Sequence, residues 1–175
     1  MSNNEKLYEV GDWIVHLIYG VGQVKRLETK PIGGIDRLCY RVRTENGVFW
    51  LPIDNADNER VRPVAGPNRI QQALEALQKA PQKMAANFQS RRKRIREVNL
   101  DGNLYTDLKL VRDLNARQFR KGLNTTEQDA FDSIVKRFLQ EWSISKGIEI
   151  NEARQKLDSF LRQSLDKVKQ DTVAA

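Results

Sequence analysis

Apolar and polar positions change rhythm near residue 65. Before it, apolar residues fall in short runs cut by glycine. Trp13-Ile14-Val15-His16-Leu17-Ile18 follows Gly11-Asp12, and Val21, Val24 and Leu27 mark a second stretch from Gly22 to Thr29. Leu38-Cys39-Tyr40-Arg41-Val42-Arg43 gives a third, Val48-Phe49-Trp50-Leu51 a fourth that stops at Pro52, and Val61-Arg62 a short fifth. Tyr19-Gly20-Val21-Gly22 and Pro31-Ile32-Gly33-Gly34 read as turns, because glycine reaches backbone angles that other residues resist. Asn46-Gly47 is a strong hairpin signal. Such closely spaced strands predict a small, strongly bent antiparallel barrel of SH3 or Tudor type.

Beyond Pro63-Val64-Ala65-Gly66-Pro67, a linker candidate, the spacing turns helical. Ile70, Ala73, Leu74 and Leu77 define a first helix that ends at Ala80-Pro81. A second is expected from Gln82 to Asn99. A third runs from Asn103 to Gly122, with Leu104, Leu108, Val111 and Leu114 inward. Asn124-Thr125-Thr126-Glu127 has the form of a capping box and opens a fourth helix. Its stripe is Phe131, Ile134, Val135, Phe138, Leu139 and Trp142. A fifth follows Gly147, with Ala153, Leu157, Phe160, Leu161, Leu165 and Val168. The fold class predicted is α+β, with a β-module over 1–66 and a helical module over 67–175.

Charge adds a direction. Thirty Lys and Arg against 23 Asp and Glu leave a formal +7, which favours a polyanionic partner through neutralised phosphates and released counterions. Catalytic signals are poor. His16 is the single histidine and lies in a strand pattern, and Cys39, the single cysteine, reads as a small core residue. One His and one Cys make no zinc constellation. Gly20-Val21-Gly22 lacks the third glycine of a dinucleotide fingerprint, and no P-loop occurs. The expectation is a cytosolic, non-enzymatic monomer without cofactor or metal, and no apolar run is long enough to span a membrane.

Two features carry more. Arg91, Arg92, Lys93, Arg94 and Arg96 cluster within one predicted helix, where steps of about 100° spread them around most of its circumference. Some of them could reach phosphates, with Phe88 and Ile95 sharing another face. Apolar side chains beside arginines can wedge into a minor groove at deformable steps; the alternative is a solvated charged helix. Phe49 and Trp50 are neighbours in a strand and must point to opposite faces. One can be core; the other is then an exposed aromatic near a sheet edge, a natural anchor for a partner.

Tyr8-Glu9-Val10-Gly11-Asp12-Trp13-Ile14-Val15 followed by Tyr19-Gly20-Val21-Gly22-Gln23-Val24 resembles the opening of the CarD/CdnL family of bacterial transcription regulators. The resemblance continues through Ile32-Gly33-Gly34, Leu38 to Val42, Leu51-Pro52-Ile53-Asp54-Asn55-Ala56, Leu77-Gln78-Lys79-Ala80-Pro81, Asp101-Gly102-Asn103, Val111-Arg112-Asp113-Leu114 and Lys121 to Glu127. It implies a Tudor-like module that binds the RNA polymerase β subunit by extending a strand, and a helical domain that touches promoter DNA at the upstream edge of the melted region. It places Lys30, Ile32 and Trp50 at the polymerase-facing edge, with Trp50 standing where family members often have Arg; Phe49, the neighbour of Trp50, is counted with them as a polymerase-binding candidate. Counted back from Gly102-Asn103, the family's wedge Trp falls on Phe88; alignment on Ser90-Arg91-Arg92 would place Gln89 there. Arg91 and Lys93 fall on phosphate-contact positions, with Arg92 and Arg94 beside them, and Gln128 stands where a basic residue can occur. His16-Leu17-Ile18 departs from the family's usual Tyr-Pro-His type segment.

The function implied is stabilisation of the open promoter complex by a protein associated with the nucleoid through polymerase, with weak, sequence-tolerant contact to DNA. The competing readings are a protein-interaction adaptor whose basic helix meets an acidic surface, and an enzyme that holds a phosphorylated substrate.

Overall fold

The computed structural model describes residues 7–56, 58 and 60–173. It divides into two compact units, one up to Val64 and one from Ala65.

The first unit is a five-stranded antiparallel sheet: β1 (Trp13–His16), β2 (Gly20–Ile32), β3 (Ile35–Thr44), β4 (Gly47–Pro52) and β5 (Val61–Pro63). Their order is β4-β3-β2-β1-β5. The sheet is not closed, so the expected barrel is an open, bent sheet with β4 and β5 at its edges. Alternation decides which side chains go inside. Along β4, Phe49 and Leu51 are buried while Trp50 between them is 39% exposed. They join Ile14, Val24, Tyr40, Val42, Ile53 and Val61 in one core. Cys39 is buried, as expected, but as the neighbour of Tyr40 along β3 it faces the other way and lies outside that cluster.

Turn positions differ slightly from the sequence expectation. The β2–β3 turn is Gly33-Gly34 alone, both at positive φ, flanked by the pair Ile32 and Ile35. Two left-handed residues suit the twist of a two-residue hairpin. Pro31 remains in the strand. The partners of β2 on β1 end at Gln23, so the missing N–H of Pro31 falls where β2 has no ladder on that side. In the β3–β4 hairpin, Gly47 is already paired with Thr44, and the turn residues are Glu45 and Asn46.

Gly22 is needed for space. A Cβ at this position would lie 2.6 Å from Val42 Cγ1 and 3.1 Å from the Arg43 carbonyl oxygen. Val42 is fully buried and β-branched, so it cannot swing aside. Gly22→Ala is expected to destabilise the sheet unit by at least about 1 kcal/mol. An unchanged urea midpoint would contradict this.

The second unit is helical: α1 (Pro67–Glu75), α2 (Phe88–Asp101), α3 (Leu104–Lys121), α4 (Thr125–Lys146) and α5 (Ile150–Val173). A 3-10 turn, Ala76–Gln78, extends α1. Leu108, Leu110, Val111 and Leu114 of α3 are fully buried, against Ile70, Leu77, Phe138, Trp142 and Leu157 in the same cluster. Asn103 and Asn124 cap α3 and α4 as the sequence indicates, and the capping box of Asn124 with Glu127 is complete.

The second helix begins six residues later than expected. Residues 82–87 are not helical, because side chains bind their backbone instead. The Gln82 amide donates to Asp113 Oδ1 at 2.9 Å, and the Ala85 and Ala86 carbonyls accept from Arg91 Nη1. Asn87 then starts the helix by accepting from the amides of Gln89 and Ser90.

Candidate protein and nucleic-acid interfaces

Alternation along β4 leaves Trp50 outward, and its ring is fixed from two sides. Its indole Nε1 donates to Glu28, and Lys30 Nζ sits 4.6 Å from the ring centroid. Lys30 is also 3.6 Å from Glu28 Oε1. The indole hydrogen bond, followed by the neighbouring cations, holds the Glu28 carboxyl below its usual range. The group is a cation–π stack with its own counter-ion, on the face next to the open β4 edge.

Beside it lies an open groove of about 630 Å³, lined by Ile18, Tyr19, Lys30, Ile32, Phe49 and Trp50 among others. Ile18 and Tyr19 are exposed, and Ile32 is half-buried. Phe49 does not face outward as a contact residue. It is 8% exposed and forms the floor, stacked on Tyr19 at 4.7 Å. His16 packs against both rings. Its Nδ1 accepts from the Ile18 and Tyr19 amides at 3.1 and 3.2 Å, which requires an unprotonated nitrogen. Burial, and then the charge of Arg60, push its pKa down, so the ring stays neutral and holds the turn. Sequence reasoning treated Tyr19 as turn and passed over Glu28. The pairing of Trp50 with Glu28 runs from β4 to β2 across β3, and no spacing in the sequence encodes it.

In the helical unit the basic run divides by helical position. Arg91, Ile95 and Val98 are buried, at i, i+4 and i+7. Phe88, Arg92 and Arg96 are exposed, at i, i+4 and i+8. Phe88 is the first residue of α2, at the seam between the two stripes, and is 41% exposed. It therefore does not share the buried environment of Ile95.

Two of the expected phosphate ligands are otherwise engaged. Arg91 is 6% exposed; its Nε donates to Glu127 Oε1 and its Nη1 to two carbonyls, so it is a buried strut. Arg94 Nη2 donates to Asp113 Oδ2 at 2.6 Å and its side chain is 31% exposed. Burying a cation requires a paired anion, and Glu127 and Asp113 supply it. Lys93 projects into solvent, 3.8 Å from Glu97. Gln128 is bonded to Asp132 and offers no charge. The outward set is thus Phe88, Arg92, Lys93 and Arg96. No helix among the described residues is long and apolar enough to cross a membrane.

Comparison with known proteins gives a consistent picture. Residues 8–65 match the family model of the CarD-like/TRCF RID domain, an RNA polymerase-interacting type, and residues 72–158 match that of the CarD C-terminal domain. The chain is 22% identical over 144 residues to YdeB of Bacillus subtilis (strain 168), a protein provisionally named a transcription factor; the alignment covers 81% of this chain and 94% of that one. These likenesses support a transcription-related role and point to no known enzyme class.

Proposed function

The chain belongs to the CarD/CdnL family, and on that premise we propose that it bridges RNA polymerase and promoter DNA and stabilises the open complex. The sheet unit docks on the polymerase β subunit through the β4 edge, with Trp50, Lys30 and Ile32 making the contact and Phe49 supporting the groove from below. The helical unit places Phe88 against the distorted minor-groove edge of the melted region, while Arg92, Lys93 and Arg96 meet phosphates.

One observation carries this reading. Each unit presents an exposed aromatic beside cations: Trp50 under Lys30 in the first, Phe88 ahead of Arg92 and Lys93 in the second. An open sheet edge with an aromatic anchor suits strand addition by a protein. An apolar tip beside arginines suits an unstacked base step. Joined in one chain, the two sites give differential affinity for a state in which polymerase and opened DNA are both present, and that difference shifts the population towards open.

The test is the lifetime of the open complex on a linear promoter after a competitor challenge. The full chain is expected to lengthen it, and Phe88→Ala to remove most of that gain, roughly tenfold. Binding to polymerase without promoter should be the same for both. If Phe88→Ala stabilises open complexes as well as the wild type does, the adaptor reading takes its place.

A further inference from the structure

We propose that Arg91, held by Glu127, is the positioning residue that presents Phe88 to DNA. This rests on the reading above, in which Phe88 enters the promoter. The residues before Phe88 have neither helical nor strand pairing, yet they are tied down on both sides. Arg91 Nη1 donates to the Ala85 and Ala86 carbonyls at 2.9 and 2.6 Å. The Gln82 amide is held by Asp113. Met84 between them is 7% exposed. Asn87 closes the segment by capping α2, and Phe88 follows as the first helical residue.

The strut is anchored deeper. Glu127 is 1% exposed and receives Arg91 on Oε1 and Arg117 on Oε2. It also accepts from the Asn124 amide, so its carboxylate is fixed by the start of α4. Arg91 thus spans from the capping box of α4 to the two carbonyls immediately ahead of the Asn87 cap. A planar fork can do this with several N–H groups at once; a lysine ammonium in the same place cannot match that geometry. The consequence is an aromatic held in place before DNA arrives. A loose Phe88 would lose conformational freedom on insertion, and a braced one loses little. The basic character of position 91 therefore serves DNA binding indirectly, through the neighbour it aims.

A double-mutant cycle on the full chain separates aiming from simple stability. Open-complex lifetimes would be compared for wild type, Phe88→Ala, Arg91→Lys and the double variant, with polymerase retention as a control. Arg91→Lys is expected to shorten the lifetime several-fold while retention stays unchanged, and to add nothing further once Phe88 is alanine, since coupled residues are non-additive. An unchanged lifetime for Arg91→Lys, or an equal loss in both backgrounds, would overturn the inference while leaving the functional reading standing. No effect of Phe88→Ala would remove that reading and the inference with it. A second measurement needs no variant. Backbone order parameters for 85–88 in the wild-type protein should reach about 0.85, as in rigid elements, and values below about 0.6 would overturn the proposal.

Discussion

Glu127→Ala is expected to lower the stability of the helical unit by about 3–5 kcal/mol, read from the slowest-exchanging amides of α3 and α4. The change leaves the Arg91 guanidinium, 6% exposed, without its carboxylate. It also frees Arg117, whose Nε donates to Glu127 at 3.0 Å, and breaks the capping box at Asn124. Glu127→Gln keeps an acceptor but no charge and should cost less. The pH dependence has a definite sign. Burial alone would raise the carboxyl's pKa, but hydrogen bonds from Arg91 and Arg117 hold it below the usual 4.5. A depressed folded pKa means the contribution is complete above the unfolded value and is lost as pH falls through the folded one. The stability gap between wild type and Glu127→Gln should therefore be constant near neutrality and shrink in acid. A gap that widened as pH fell would contradict the pairing.

Trp50→Ala is expected to weaken capture of RNA polymerase by about 2 kcal/mol or more, roughly thirtyfold. An indole already fixed by Glu28 and Lys30 loses little freedom on docking, and its area sits beside the groove floored by Phe49. Lys30→Ala should have a smaller effect that fades with salt, because its side chain is 39% exposed. Equal capture by wild type and Trp50→Ala at matched ionic strength would place the polymerase contact elsewhere on the sheet.

What the sequence made legible follows the range of the forces involved. Short-range signals read cleanly: Asn103, Asn124 and Gly147 bound helices where expected, and the alternation of Phe49 and Trp50 requires one of them inside. Long-range pairing did not. The stretch 82–87 has helix-compatible residues, and only Asp113 on α3 and the buried Arg91 explain why it stays out of the helix. The same gap hid the division of the basic run. Five cations in six residues look alike until the positions of Glu127 and Asp113 assign Arg91 and Arg94 to internal pairs. Closure of the sheet into a barrel likewise depends on whether its edges meet, which strand count cannot decide.

The unsatisfied β4 edge also bears on how the protein behaves at high concentration. A strand with free N–H and C=O groups templates any extended chain, including another copy of itself. The hairpin it ends is short at β4, Gly47 to Pro52, and finishes in a residue that cannot donate to a ladder. With a formal charge of +7, copies repel one another in dilute salt. Shielding of that charge removes the repulsion and leaves the edge in place, so salt that would loosen the proposed contact with DNA also favours self-association.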